Sequence, residues 1–153
     1  MEAVQTFAIQ PHEGTSGDSR LLAEGTAIGR VEGLVLEAQF RCGPGYLVVT
    51  SDGNPFEEGL HFYLLDTSYA VLDDVSLGRM YHAGMYRNVI VGPDRDALEF
   101  EFFGNDRWRL SIASQPRRTW FRRPFSAVTR TRKWLAPHRL DLRKVEHQSR
   151  AAP

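Results

Sequence analysis

The sequence predicts a mainly β fold: an antiparallel meander forming a sandwich or small barrel, with a basic C-terminal extension that leaves room for a short helix. Three observations carry this expectation. Apolar and polar residues alternate with the two-residue period of half-buried strands. Clusters of Gly, Pro, Asn and Asp recur at roughly 8 to 12 residue intervals, and no segment before residue 114 keeps a helical period over a useful length. The chain of 153 residues has the length of one ordinary domain, and its 42% apolar and 25% charged composition is globular.

The elements follow in order. In Gly33–Cys42, apolar Leu34, Leu36, Ala38, Phe40 and Cys42 alternate with Glu37, Gln39 and Arg41, the signature of one strand. Gly43, Pro44 and Gly45 supply a turn, and YLVVTS returns as the second strand of a hairpin. LHFYLLD and AVLDDVSLG, joined by a Thr-Ser-Tyr link, make a second hairpin. Residues 79–87 hold Met80, Tyr81, His82, Met85 and Tyr86 in no period, and are read as a loop or irregular strand. In ALEFEFFGNDRWRLSIA, the loop Gly104-Asn105-Asp106 sets a register in which Phe102 faces Trp108, Phe100 faces Leu110 and Glu101 faces Arg109. About eight to ten strands result. Residues 128–134 suit a strand or a helix equally, as do Leu140 and Leu142 after Pro137.

The formal net charge of zero conceals a division. Up to Asp106 the chain carries 17 acidic residues against six arginines, a balance of −11; from Arg107 onward, 13 basic residues stand against Asp141 and Glu146, a balance of +11. The chain therefore divides into an acidic β body, residues 1–115, and a basic aromatic segment, residues 116–153, packed on the same domain. Within that segment Arg117, Arg118, Trp120, Arg122, Arg123, Arg130 and Arg132 are candidates for contact with an anion. Guanidinium groups pair with phosphate and aromatic rings stack on unpaired bases, so nucleic acid or another anionic partner is one reading. The competing reading, which opposite charges of equal size favour, folds the segment back onto its own acidic body or a second copy.

Candidate chemistry is sparse. Glu57 and Glu58 precede His61 closely enough to share a metal on a helix, but Gly59 lies between them and a strand follows, which favours a solvated turn. Asp52, Glu57, Glu58 and His61 are the first ligand or metal candidates, joined by His82 in the unperiodic loop. Asp73 and Asp74, as neighbours in a strand, point to opposite faces and mark a strand end or bulge. Cys42, the single cysteine, excludes an intramolecular disulfide and lies on an apolar face as a small hydrophobe. GTSGDS lacks the lysine of a phosphate-binding loop and the spacing of a nucleophile elbow.

The N-terminus MEAVQTFAIQPHEG has neither a basic start nor an apolar run, and no stretch approaches the roughly 18 apolar residues of a membrane span. A cytoplasmic location is expected, with no transmembrane segment, no resident metal and no cofactor. The function expected is a non-enzymatic binding or interaction protein, open to homo-oligomerisation. The alternatives are a ligand-binding barrel or enzyme with a site near His61, and a nucleic-acid binder working through the arginines. A cavity would mark the ligand binder and a filled core the interaction protein.

Overall fold

The computed structural model describes residues 1–14, 17–54, 56–93, 96–118, 127–131 and 136–146. The described residues form thirteen strands and no helix. In chain order these are β1 (Glu2–Ala3), β2 (Phe7–Pro11), β3 (Asp18–Ala23), β4 (Thr26–Glu32), β5 (Val35–Cys42), β6 (Gly45–Ser51) and β7 (Gly59–Asp66). They continue as β8 (Val71–Gly78), β9 (Arg87–Val91), β10 (Ala97–Glu101), β11 (Arg107–Arg117), β12 (Val128–Thr129) and β13 (His138–Lys144). All pairings are antiparallel, in three sheets ordered β1-β5-β6-β7-β8-β12, β13-β11-β10-β9 and β2-β3-β4.

The six-stranded sheet lies between the other two. Leu47, Val49, Phe62, Leu64, Val75 and Leu77 on one face share a core with Leu98, Phe100, Trp108, Leu110, Ile112, Leu140 and Leu142 of the four-stranded sheet. Val48 and Leu65 on the other face pack under Phe7, Leu21, Ala23 and Val31 of the three-stranded sheet. Burial on both faces is why YLVV and HFYLL read as continuous apolar runs. Leu47, Val48 and Val49 are all fully buried, and each such side chain contributes roughly 1.5–3 kcal/mol of transfer free energy.

Both expected hairpins form, as β5–β6 and β7–β8. Three details differ from the reading of the sequence, and one that it left open is decided. The number of strands exceeds eight to ten because residues 1–32 form β1 to β4. Residues 138–144 are a strand, and β13 completes the four-stranded sheet against β11. In the β10–β11 hairpin Phe100 pairs with Trp108, Glu101 with Arg107 and Leu98 with Leu110, two residues away from the register expected. The cause is a longer connection: the Phe102 N–H bonds to Asp106 O at 2.9 Å, and Phe103 and Gly104 both take positive φ. A shift of two keeps every side chain on its face. The single-face reading of β5 fails at a bulge between Leu36 and Ala38, which moves Leu36 to the opposite face.

A second bulge, at Leu72 in β8, aims Asp73 into the main core and leaves Asp74 on the other face. The fully buried Asp73 carboxylate accepts the backbone N–H groups of Arg139 at 2.7 Å and Leu140 at 2.8 Å. Arg130 Nη1 stands 3.5 Å away and His138 Nδ1 3.3 Å away. Arg130 also donates to Leu140 O, and the Thr131 hydroxyl and N–H donate to Asp74. One carboxylate thus joins β8 of one sheet to the start of β13 in the other. Replacing it strands two backbone N–H groups in the core and takes its counter-charge from the partly buried Arg130 guanidinium. Asp73→Ala is expected to lose about 3–5 kcal/mol of stability in urea denaturation; a loss within ~0.5 kcal/mol, as at an ordinary surface site, would show that the carboxylate holds nothing together.

Candidate functional site

Two loops meet at one end of the sandwich. The first, residues 52–58, joins β6 to β7; the second, residues 79–86, carries the chain from β8 across to β9 in the other sheet. They brace each other: the Glu58 N–H donates to His82 O at 3.4 Å, and the Tyr81 N–H donates to Glu57 Oε1 at 3.3 Å. The second loop also leans on the β10–β11 turn. The Arg79 guanidinium lies 5.9 Å above the Phe103 ring, and the His82 ring meets Phe103 edge-on at 6.2 Å. Gly84 lies flat against the buried Phe102 ring, where a Cβ would collide with it. These supports hold the loops so that Phe56, Met80, Tyr81 and Met85 stand out to solvent, 79%, 73%, 81% and 69% exposed.

Beneath the first loop lies His61, 7% exposed near the start of β7. Its Nε2 is 2.7 Å from Asp52 Oδ1 and its Nδ1 is 2.8 Å from Ser76 Oγ, with Glu32 Oε2 3.2 Å from the same Nδ1. Three elements converge here for local reasons. Ser76 is the cross-strand neighbour of His61 on β8. Asp52 reaches the ring across Gly59, where a Cβ would strike its carboxylate. Glu32 is held over β7 because its N–H donates to Tyr63 Oη at 2.8 Å and its carbonyl accepts from Thr50 Oγ1 at 2.6 Å. Glu58 turns its Oε1 to the Gly53 N–H at 2.9 Å, fixing the turn that delivers Asp52.

Of the residues singled out in the sequence, Asp52 and His61 therefore touch, Glu57 and Glu58 brace the loop, and His82 is exposed, its Nδ1 2.9 Å from Met80 O. Among the described residues no group of three or more His, Cys, Asp or Glu is arranged to hold a metal ion. Arg117 and Arg118 are exposed at the end of β11, whereas Arg130 is drawn inward to Asp73. Trp120, Arg122, Arg123 and Arg132 lie outside the described residues. Ser76 and Glu32 were not singled out. Ser76 could have been found from the hairpin pairing of β7 with β8, but Glu32 arrives from a sheet that no local signal connects to His61.

Chemically, Asp52, His61 and Ser76 form a hydrogen-bonded relay resembling a nucleophile–base–carboxylate arrangement, with the two ring nitrogens exchanged relative to a serine protease. Glu32 competes with Ser76 for Nδ1. Among the described residues, one open groove is lined by Met1, Arg41, Cys42 and Asp96 and another runs along β5, and neither includes His61 or Ser76. Burial pushes the Cys42 thiol above its ordinary value, as suits a small core residue. No described helix is long and apolar enough to cross a membrane.

Burial also raises the Glu58 carboxyl above its ordinary value; the N–H groups of Gly53 and Asp52 oppose the rise, and the Asp52 and Glu37 carboxylates add to it. A carboxyl raised in the folded state binds protons more readily folded than unfolded, so stability falls as pH rises from the ordinary value of 4.5 through the shifted one. Glu58→Gln keeps the acceptor for Gly53 and removes the charge. Its urea midpoint should exceed that of the native chain at neutral pH, with the gap closing below pH 4.5. A gap of the same size at every pH would refute this assignment. In comparisons with known proteins, no family model, no curated protein and no solved structure matches this chain.

Proposed function

We propose that this chain is a protein-interaction module that binds through the loop-bearing end of its sandwich. The observation that carries the reading is the set Phe56, Met80, Tyr81 and Met85, four large apolar side chains, each exposed, on two loops that are tied to each other and to the core. Tyrosine, phenylalanine and methionine are the residues enriched at protein interfaces, and methionine adapts to partners of varied shape. A braced loop loses little conformational entropy when it binds, so more of the contact energy appears as affinity. Filled packing between the six- and four-stranded sheets supports the same reading, since Phe62, Phe100 and Phe102 occupy the space an enclosed ligand would need.

The alignment of Asp52, His61 and Ser76 favours a second reading, a hydrolase with Ser76 as nucleophile. A fluorophosphonate probe separates the two. Labelling of Ser76 that is lost in His61→Ala would put the hydrolase first; no labelling, with Ser76→Ala changing stability alone, leaves the relay as the clamp that seats the first loop.

The interaction reading is tested with a photoreactive side chain in place of Tyr81, activated in cells of the source organism. One discrete protein adduct is expected, absent when the probe replaces Glu13 and lost when Met80 and Met85 are both changed to Asp. Binding measured with the captured partner should weaken by about 30-fold or more on Tyr81→Ala, the size of an interface hot spot. Adducts to lipid alone, or the same adducts from both positions, would overturn the proposal.

A further inference from the structure

We infer that a second copy of this chain pairs with the first through β9, antiparallel and symmetric about Ile90. The inference is independent of the loop-end surface and goes beyond it. In the described residues β9 is the outermost strand of its sheet, and its five residues are all exposed, with Ile90 53% exposed and Val89 and Val91 beside it. Exposed sheet edges are templates for another strand, and proteins blunt them by shortness, charge or proline. The other edges here carry such devices. β1 and β12 have two residues each, β2 ends in Pro11, β4 is bulged at Ile28 and carries Arg30 and Glu32, and β13 presents Arg139, Asp141, Arg143 and Lys144. β9 presents Val89, Ile90 and Val91.

The backbone phase fits self-pairing. The Gly92 N–H bonds to Ala97 O at 2.8 Å, and Val91 lies opposite Leu98. Gly92 and Ile90 therefore turn their backbone groups toward β10, and the strand's alternation turns those of Val91 and Val89 to the open edge. A twofold axis at Ile90 sets Val89 opposite Val91 of the second copy, and Val91 opposite its Val89. These are the positions that exchange pairs of hydrogen bonds, and the two Ile90 residues form the close pair between them. Faces match as well, since Ile90 lies on the outer side with Glu99, and Val91 on the inner side with Leu98.

Charge allows the seam. Arg87, the one charged residue of β9, is held by Glu101 at 3.2 Å, and the neighbouring Glu99 faces Arg107 at 3.5 Å and Arg109 at 3.4 Å. Among the described residues, no unneutralised like charges meet. The positive φ of Asn88, at the bulge opposite Glu99–Glu101, limits the regular stretch at one end, and Pro93, which has no N–H, limits it at the other. Three residues a side bury less than the roughly 800 Å² per partner of a standard interface, so the dimer forms in proportion to concentration.

The full chain is examined by sedimentation across a wide concentration range, alongside Val91→Pro and Ile90→Lys. Proline at 91 removes only an outward N–H and keeps the bonds to β10, so the monomer should fold as before. Both variants should weaken dimerisation at least tenfold with unchanged circular dichroism. In a Cys42→Ser background, Ile90→Cys should form an intermolecular disulfide under mild oxidation, because close antiparallel pairs lie within disulfide reach, whereas Val91→Cys, displaced from its own symmetry mate, should not. A chain that stays monomeric at all concentrations, a dimer indifferent to Val91→Pro, or equal cross-linking from both cysteine positions would overturn the inference.

Discussion

The architecture depends on one sheet being covered on both faces. β6, β7 and β8 must be apolar at odd and even positions alike, and the side chains that are not apolar there need partners inside the protein. His61, Thr50, Ser76 and Asp74 all lie on the face toward the three-stranded sheet, and each is hydrogen-bonded to a neighbouring strand or loop. Asp73 lies on the other face and has five donors around it, including the Asp74 N–H at 2.9 Å. Polar residues in this sheet are confined to places where a second element arrives with a complementary group.

That constraint explains how the charge division is resolved. Much of the neutralisation is local: Arg107 and Arg109 meet Glu99 and Glu101 across a hairpin, Arg143 meets Asp141 two residues away, and Lys144 meets Asp106 at 2.8 Å. Exposed pairs of this kind are worth little each. What the described part of the basic segment supplies is geometry, in the form of β12 against β8, β13 against β11, and the backbone donors that surround Asp73.

Much of the β body was legible because hairpins are local. The β5–β6 and β7–β8 pairings follow from alternation and turn residues within about 20 positions. The bulges at Glu37 and Leu72 were not legible, because each answers to a packing demand made by a distant strand: Leu36 is wanted under the three-stranded sheet, and Asp73 is wanted by Arg139 and Leu140. The five-residue turn of β10–β11 was hidden for another reason, since Phe103 at φ 57° is a conformation that its residue type does not advertise. At the site, Asp52 and His61 are near each other in sequence as well as in space, whereas Glu58 belongs to the turn. Ser76 and Glu32 join them only through tertiary pairing.

The Asp73 clamp also sets an order of events during synthesis on the ribosome. The carboxylate is translated with β8, yet four of its five donors come from Arg130, His138, Arg139 and Leu140, some 57 to 67 positions later. Until those residues emerge, closing the two sheets would seal an ion in hydrocarbon at a cost of several kcal/mol. The hairpins can form as they are made, but the nascent chain has reason to stay open at this end. Closure and the gain of its donors then arrive together, which makes the late residues a checkpoint on folding and leaves an incomplete product visible to proteolysis.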